Sequence, residues 1–275
     1  MRFPIDERDW KTIGSDKVSA IGLGTWAVKD WDAALKVLEA AIESGKVNLV
    51  DTAEMYSWGR AEEMVGRLVR RVGRDRVFIT TKILPHHLLD PEEAVKAAKA
   101  SLRRLGVREV DLFLIHWPLS GVPIRRQVRA LERAVYEHGL ARYIGVSNFD
   151  HRQLREAVHA TRSAEIVVDQ VDYSVFRKWP ETSGLLDVAL EHGVTLQAYS
   201  PLGRCRARRS YRLREIARRI GRTPVQVALN YVISRPGVIA VTKTENMAHL
   251  EEILGALGWR LPPRIIEELE EPGCC

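Results

Sequence analysis

The chain has 275 residues, of which 45% are hydrophobic, and a formal net charge of +6. This length suits one α/β barrel, and a large apolar content with interspersed charges excludes a disordered chain. The first ten residues lack a signal-peptide core, and no apolar run approaches the roughly 20 residues of a membrane-spanning helix. We therefore expect one domain over residues 1–275, cytoplasmic and without a membrane partner.

The cysteines favour a reducing compartment. Only three are present, Cys205, Cys274 and Cys275, and no pair has the spacing of a disulfide framework or a zinc site. We interpret the terminal pair as part of a frayed tail, with oxidation or lipidation as the alternatives.

Glycines end a series of amphipathic stretches, and an apolar β-branched run follows each of them. Gly45, Gly106, Gly139 and Gly193 hold this position. Glycine adopts the left-handed conformation just past a helix end, and the run that follows is typical of a strand buried on both faces. The predicted strands, in chain order, are Ala20–Gly24, Asn48–Asp51, Phe78–Lys82, Val110–His116, Tyr143–Val146, Val167–Gln170, Thr195–Tyr199 and Val238–Thr242.

Helical patterns fill the gaps, and capping residues such as Asp90 and Thr223 open two of them. Eight strand and helix units in about 250 residues predict a closed (β/α)8 TIM barrel. A doubly wound Rossmann sheet is the rival, but its Gly-x-Gly-x-x-Gly turn is incomplete because only Gly22 and Gly24 are present. Ahead of the first strand, a turn-like segment at residues 14–17 predicts a β-hairpin that caps the barrel bottom.

Ionisable side chains end three consecutive predicted strands. Asp51 ends the second strand, Lys82 the third and His116 the fourth, and Tyr56 lies in the loop after the second. Chemistry in such barrels takes place at the carboxyl ends of the strands, and consecutive strands are neighbours. Each residue alone is more often a cap, a packing group or a solvated group. Together they predict one catalytic pocket.

The four side chains suit acid catalysis at a carbonyl group. A phenol has an ordinary pKa near about 10, and a nearby ammonium stabilises the phenolate and lowers that pKa. We expect Lys82 to lower the pKa of Tyr56 in this way, and Asp51 to keep Lys82 charged. His116 can donate a hydrogen bond to the carbonyl oxygen. No metal is expected, because the sequence has no His-Glu-x-x-His or Cys-x-x-Cys motif.

Four motifs in the same order give the chain a resemblance to the aldo-keto reductase family. They are Asp51-Thr-Ala-Glu-Met-Tyr56-Ser-Trp58-Gly59, Leu112-Phe-Leu-Ile-His116-Trp117-Pro118, Gly145-Val-Ser147-Asn148-Phe149 and Ala198-Tyr199-Ser200-Pro201-Leu202-Gly203. The resemblance extends from about residue 18 to residue 261. It implies hydride transfer from a nicotinamide cofactor to a carbonyl carbon, with Asp51, Tyr56, Lys82 and His116 as catalytic tetrad and Tyr56 as the proton donor.

The resemblance also implies cofactor contacts at other strand ends. Tyr199 matches the ring that stacks on the nicotinamide, and Ser147, Asn148 and Gln170 match side chains that bind its carboxamide. Further cofactor contacts are expected from Gly24, Thr25, Trp26, Asp51, Ser200, Pro201, Leu202 and Asn246.

The segment after the eighth strand resembles the part of the family that binds the 2′-phosphate of NADPH. Lys243 and Thr244 match its lysine and hydroxyl, His249 stands where arginine is common, and Glu252 matches an acid that binds the adenine amine. Ile253 replaces the asparagine usual beside it. A cation and a hydroxyl suit a phosphate dianion, so we expect NADPH, with NADH as the second candidate cofactor.

Basic residues are concentrated after the seventh strand, between residues 204 and 222. The family often closes a loop over the pyrophosphate here. A nucleic-acid surface is the interpretation that the sequence favours least, and we expect no nucleic-acid partner. One or two cofactor contacts are expected from Arg204, Arg206, Arg208 and Arg209, and a solvated helix face from Arg214, Arg218 and Arg219.

Trp26, Trp58 and Trp117 lie near the ends of strands one, two and four, and with His116 they are expected to wall an apolar substrate pocket. The short tail indicates an open site for small aldehydes or ketones, and we expect a monomer. Two other activities remain open on the same barrel. One is a Schiff-base lyase with Lys82 as nucleophile, and the other is an NADPH-binding sensor subunit with slow turnover.

Overall fold

The computed structural model describes residues 2–271. An antiparallel hairpin comes first, formed by β1 (Trp10–Ile13) and β2 (Asp16–Ser19) around a two-residue turn. Eight parallel strands then close into a barrel, each paired with its neighbours in the chain, and the last strand pairs with the first. The barrel strands are β3 (Ile21–Gly24), β4 (Leu49–Asp51), β5 (Phe78–Ile83), β6 (Val110–Ile115), β7 (Ala141–Ser147), β8 (Ile166–Asp172), β9 (Thr195–Tyr199) and β10 (Val238–Thr242).

Helices surround the barrel, and the capping residues read from the sequence begin two of them. The Asp90 carboxylate accepts hydrogen bonds from two backbone N–H groups, and Thr223 forms a capping box with Gln226. The helices are α1 (Trp31–Glu43), α2 (Arg60–Val72), α3 (Pro91–Leu105), α4 (Ile124–Leu131), α5 (His151–Ala160), α6 (Trp179–Thr182), α7 (Leu185–Glu191), α8 (Arg206–Arg209), α9 (Tyr211–Arg219), α10 (Pro224–Ile233), α11 (Met247–Leu254) and α12 (Pro263–Glu270). Short 3-10 turns cover Tyr56–Gly59, Arg74–Arg76 and Pro85–Leu89, and a π turn covers Glu132–Tyr136.

The hydrophobic core has two layers. A large layer lies between the barrel wall and the helices, and a smaller cluster fills the barrel interior. Ile13 and Val18 of the hairpin are fully buried in the interior cluster, beside Leu49 and Phe78 at the starts of β4 and β5. The hairpin therefore closes the amino-terminal end of the barrel, which leaves the carboxyl ends of the strands as the open mouth.

The structure confirms the predicted (β/α)8 barrel and its N-terminal hairpin. The Rossmann alternative is wrong, because the strands close on themselves instead of forming an open sheet. The predicted strands lie where the structure has them, with bounds that differ by up to two residues. No helix within residues 2–271 combines the length and the apolar character needed to cross a bilayer. Cys205 is free and exposed, whereas Cys274 and Cys275 lie outside the described residues.

Candidate active site

Four side chains meet where β4, β5 and β6 end. Asp51 is the last residue of β4, Lys82 lies near the end of β5, and His116 directly follows β6. Tyr56 begins the 3-10 turn that follows β4. All four are buried, and Lys82 has no solvent exposure. The structure thus brings together the four residues that the sequence placed at neighbouring strand ends.

The Lys82 ammonium is the centre of this cluster. Its Nζ lies 2.8 and 2.9 Å from the two carboxylate oxygens of Asp51 and 3.0 Å from the hydroxyl oxygen of Tyr56. A backbone carbonyl oxygen, that of Thr52, accepts a further hydrogen bond at 2.9 Å. The ammonium therefore has a charge partner, a phenol partner and a backbone acceptor, which satisfies its three protons without water.

The pKa values of the cluster follow from burial and from these contacts. Burial alone lowers the pKa of Lys82, but Asp51 and Tyr56 outweigh it and raise that pKa above its ordinary value, so the lysine is charged. Burial also raises the pKa of Tyr56 more than Lys82 lowers it. Lys82 thus lowers the pKa of Tyr56 as expected, but burial and the negative charge of Asp51 raise that pKa by more, so the net shift is upward.

His116 is held as an uncharged imidazole. Burial, and secondarily the positive charge of Lys82, lower its pKa to about 3. Its Nδ1 has no hydrogen-bond partner within the described part of the chain. A neutral imidazole carries one N–H, so His116 can donate a single hydrogen bond to a bound oxygen without adding charge.

Aromatic rings form a continuous series along one side of the mouth. The ring centroids of Trp26 and Tyr56 are 5.1 Å apart, those of Tyr56 and His116 5.7 Å, and those of His116 and Trp117 4.7 Å. Trp26 and Trp117 are 56% and 36% exposed, as the walls of an open pocket would be. Trp58 is different: it is 97% exposed, and its backbone is left-handed with φ 58°. The expected wall position of Trp58 is thus not realised, because this backbone turns its side chain into solvent.

Polar side chains continue around the mouth on β7, β8 and β9. Ser147 donates to the backbone oxygen of Gln170 at 2.8 Å. Asn148 donates from Nδ2 to the backbone oxygen of His116 at 3.1 Å and to the Ser147 hydroxyl at 3.0 Å. Tyr199, whose ring is half-buried, donates to Asn148 Oδ1 at 2.8 Å. The four residues that the resemblance assigned to the nicotinamide therefore form one hydrogen-bonded group beside the Lys82 cluster, which Gln170 joins through its backbone oxygen.

The glycine-rich start of the mouth is also tied to the cluster. Thr25 donates from its backbone nitrogen and from Oγ1 to the backbone oxygen of Asp51, both at 3.0 Å. A Cβ on Gly24 would lie 3.9 Å from the Asp51 carboxylate. On the far side, Ser200, Pro201 and Leu202 form the turn after β9, where Ser200 has a positive φ of 51°.

The segment after β10 is organised around an acidic residue that sequence reasoning missed. Lys243 forms an ion pair with Glu245 and donates to the backbone oxygen of Ala27. Glu245 in turn accepts from the backbone nitrogens of Lys29 and Asp30, at 3.2 and 2.8 Å. The sequence Lys-Thr-Glu gave no signal for this role, because a glutamate in a loop is usually solvated, whereas the Glu245 side chain is only 20% exposed.

The remaining phosphate-end residues lie on α11 and its start. Asn246 caps the helix by accepting from the backbone nitrogen of His249, and Thr244 donates to the backbone oxygen of Asn246. Glu252, expected to bind the adenine amine, forms an ion pair with Arg208, which was expected to contact the cofactor. The two predicted cofactor residues are therefore bound to each other.

Two arginines flank an aspartate next to the half-buried Tyr199. Arg177 lies 3.3 Å and Arg204 4.0 Å from the Asp172 carboxylate, and Asp172 is the β-ladder partner of Tyr199. Arg206 stacks on the ring of Phe176 with 4.5 Å to its centroid. Arg177 was not singled out from the sequence, because it lies in a loop before α6 with no motif around it. Arg219, expected to be solvated, is half-exposed and pairs with Glu268.

The residues along the mouth fit a nicotinamide dinucleotide. Amide and hydroxyl groups lie at the ends of β7 and β8 next to Tyr56, an exposed phenol face lies on β9, and cations follow β9 and β10. That order matches the carboxamide, ring and phosphates of such a cofactor. Among residues 2–271, no group of three or more histidine, cysteine, aspartate or glutamate side chains is arranged to hold a metal ion.

The fold and the site together define an aldo-keto reductase. The family model for the aldo/keto reductase family matches residues 20–272, and the chain belongs to this family. Methylglyoxal reductase YeaE of Escherichia coli K12 is 32% identical over 247 residues, which are 87% of this chain and 85% of that protein.

Solved structures give the same result. The thermostable aldo-keto reductase Tm1743, in complex with the inhibitor epalrestat, superposes with a TM-score of 0.87 at 36% identity and covers 95% of this chain and 98% of its own. An aldo/keto reductase from Klebsiella pneumoniae, in complex with NADP and acetate, superposes with a TM-score of 0.84 at 32% identity and covers 92% of this chain and 91% of its own.

Proposed function

We propose that this chain is an NADPH-dependent reductase of aldehydes or ketones in which Tyr56 is the general acid. The observation that carries the proposal is the Lys82 ammonium, which lies 3.0 Å from the Tyr56 hydroxyl while Asp51 binds its other side. The relatives support the same reaction class, since one is a methylglyoxal reductase and another binds NADP.

NADPH, when bound, supplies the hydride that is added to the carbonyl carbon. Tyr199 would hold the nicotinamide ring, and Ser147, Asn148 and Gln170 would hold its carboxamide. Lys243 would exchange its partner Glu245 for the 2′-phosphate. Such an exchange is favourable because a phosphate dianion attracts an ammonium more strongly than one carboxylate does.

Tyr56 donates its proton to the carbonyl oxygen as negative charge develops there. Because the pKa of Tyr56 is raised, the phenol is protonated at neutral pH and ready to act as an acid. The phenolate that remains is stabilised by Lys82 at 3.0 Å and later takes a proton from solvent. His116, uncharged, donates a hydrogen bond to the same oxygen and orients it.

The same electrostatics argue against Schiff-base chemistry. A lysine nucleophile must be a free amine, and the pKa of Lys82 is raised by Asp51 and Tyr56. The aromatic series from Trp26 to Trp117 favours substrates that carry the carbonyl on an apolar group, which can pack on the exposed rings.

Stopped-flow oxidation of bound NADPH by 4-nitrobenzaldehyde tests the proposal. Tyr56→Phe should slow this oxidation by about 10²–10⁴-fold, because it removes the general acid. The affinity of this variant for NADPH should stay within about twofold, since the Tyr56 hydroxyl is bound by Lys82 and the proposed cofactor contacts come from other side chains. Tyr136→Phe is the matched control, because that tyrosine lies in the π turn that precedes the amino-terminal end of β7, away from the mouth, and should leave the rate unchanged.

Full activity in Tyr56→Phe would overturn the role of the phenol. Tight NADPH binding with very slow oxidation in the wild-type protein would instead favour the sensor alternative. In that case the same mouth would bind cofactor without efficient turnover.

The cofactor preference has its own test. Lys243→Ala should weaken binding of NADPH by about tenfold and leave NADH nearly unchanged, because only NADPH carries the 2′-phosphate. Lys36→Ala, an exposed lysine on α1, is the matched control. Equal losses for both cofactors would show that Lys243 does not contact the 2′-phosphate.

A further inference from the structure

A second glutamine lies beside Gln170 inside the barrel. Gln197 is on β9 and is the direct β-ladder partner of Gln170 on β8, so the two side chains point into the barrel at the same level. Gln197 has no solvent exposure. The sequence did not single out Gln197 as a site residue, because a glutamine inside an apolar strand belongs to none of the four motifs.

The Gln170 amide nitrogen is held by two acceptors. Its Nε2 donates to Asp51 Oδ1 at 2.7 Å, across the barrel from β8 to β4, and to Gln197 Oε1 at 2.9 Å. A carboxylate only accepts hydrogen bonds, so the NH₂ end of Gln170 must face Asp51. Both amide protons are therefore used inside the barrel.

This arrangement leaves one free polar atom on Gln170. Its Oε1 receives no hydrogen bond from any residue of the described chain. An amide whose nitrogen has two fixed partners cannot rotate without breaking both bonds. The oxygen is consequently held in one direction.

We propose that Gln197 is a positioning residue for the cofactor. It acts through Gln170, whose Oε1 it holds in place to accept a hydrogen bond from the NH₂ of the nicotinamide carboxamide. This inference rests on the proposed function, since it requires a nicotinamide at the mouth. The chain of contacts runs from Gln197 through Gln170 and Asp51 to Lys82, so the same residue links the carboxamide site to the catalytic cluster.

Without such a role, the buried amide of Gln197 would only destabilise the fold. Its own Nε2 is buried without a partner, whereas its other ladder neighbour, Ile239, is apolar and packs in the interior cluster. A buried N–H without an acceptor is unfavourable, and an apolar side chain would avoid that cost. The useful part of Gln197 is therefore its oxygen, and the only group that this oxygen contacts in the described chain is Gln170.

Cofactor analogues test the proposal directly. Gln197→Met keeps the length of the side chain and removes the acceptor. The dissociation constants of NADPH and of its reduced 3-acetylpyridine analogue, which has a methyl group in place of the amide NH₂, are measured by quenching of protein fluorescence. Gln197→Met should weaken NADPH by about tenfold and the analogue by less than about twofold, because the analogue has no NH₂ to donate to Gln170.

Thr80→Val is the matched control. Thr80 lies on β5 beside Asp51, is buried in the barrel, and its Oγ1 has no partner in the described chain. Removal of this hydroxyl should leave the ratio of the two dissociation constants at the wild-type value. If Gln197→Met does not fold, Gln197→Thr replaces it, because the smaller side chain also cannot reach the Gln170 amide.

The outcomes separate the two proposals. Equal weakening of NADPH and the analogue, or no weakening of either, would overturn the positioning role while the reductase assignment stands. A wild-type protein that binds neither cofactor would overturn the reductase assignment itself.

Discussion

The two ends of the barrel each bury one lysine, and the pKa values of the two lysines are shifted in opposite directions. At the closed end, Lys11 donates to the backbone oxygens of Ile233 and Arg235 at 2.6 and 2.9 Å and lies 3.3 Å from Asp6. Burial there exceeds the attraction of Asp6 and lowers the pKa of Lys11 to about 8. At the mouth, Lys82 has both oxygens of Asp51 within 2.9 Å, and its pKa is raised.

Backbone strain divides the molecule in the same way. At the closed end, left-handed positions are occupied by glycine, as at Gly14 in the hairpin and at Gly45 and Gly106 after helices. At the mouth, residues with a side chain take these conformations as well, beside glycines such as Gly59 and Gly203. The non-glycine residues with positive φ in the described chain all follow barrel strands at the mouth and are Ala27, Ser57, Trp58, Asn148, Ser200, Arg204 and Cys205.

The difference shows how stability and function are distributed. A non-glycine residue in the left-handed region costs roughly 1–2 kcal/mol, and such strain persists where the surrounding structure holds it and a site needs it. The closed end avoids this cost by placing glycine at its left-handed positions. At the mouth the strain is present at Asn148 and Ser200, next to the groups assigned to the cofactor.

Gly14→Ala should give the largest change in stability. The residue has φ 56°, and an added Cβ would lie 2.4 Å from a ring carbon of Tyr143. We expect a loss of about 3 kcal/mol in the free energy of unfolding, from left-handed strain together with displacement of that ring. Turnover at 20 °C or so should change little, because the hairpin lies at the opposite end from Tyr56. Urea unfolding and steady-state kinetics check the two parts.

Gly45→Ala is the control for strain without a clash. Its φ is 68°, and a Cβ there would have no atom within 4 Å. The expected loss is about 1 kcal/mol. A comparable loss in both variants would show that contact with Tyr143 has no part in the effect.

The barrel itself could be predicted from the sequence because the same local sequence pattern recurs where helices lead into strands at its closed end. Glycine after each helix and β-branched runs buried on both faces are local signals, and they locate Gly106, Gly193 and the strands behind them. The cluster of Asp51, Tyr56, Lys82 and His116 could be predicted for a related reason. Asp51, Lys82 and His116 end consecutive strands, and the closure of the barrel brings such residues together.

The finer features of the mouth depend on distances that no local pattern contains. Gln197 is recognised only through its register with Gln170, and Arg177 only through its approach to Asp172. The pKa of Tyr56 depends on a balance between burial and one ammonium, so even its direction required coordinates. The left-handed backbone of Trp58 was hidden because the residue is not a glycine.

Lys11→Met should remove a pH dependence of stability. In the folded protein the pKa of Lys11 is about 8, below its ordinary value of 10.5. Between these values the unfolded chain binds more protons, so the wild-type protein becomes more stable as pH rises from 8 towards 10.5. We expect the wild type to gain about 2 kcal/mol over Lys11→Met in this interval. Denaturant unfolding at a series of pH values measures it.

Lys17→Met, on the same hairpin but exposed, is the control and should follow the wild-type pH dependence. If the unfolding free energies of the wild type and Lys11→Met change in parallel with pH, the lowered pKa of Lys11 is contradicted. Lys11 would then carry the same charge in the folded and unfolded states, as Lys82 does at neutral pH.

Trp58→Asn should give the smallest change, and in the opposite direction. The side chain is 97% exposed and the backbone has φ 58° and ψ 41°, a region that asparagine adopts more readily than tryptophan. Little packing is lost, so we expect a gain of about 1 kcal/mol in the free energy of unfolding. Trp10→Asn in β1, where the backbone is extended, should destabilise the protein instead. Because the Trp58 side chain lies in solvent and does not wall the pocket, the KM for an aromatic aldehyde should stay within about twofold of the wild-type value. A several-fold rise in KM would contradict this expectation and would show that the left-handed backbone at Trp58 helps to shape the mouth for substrate.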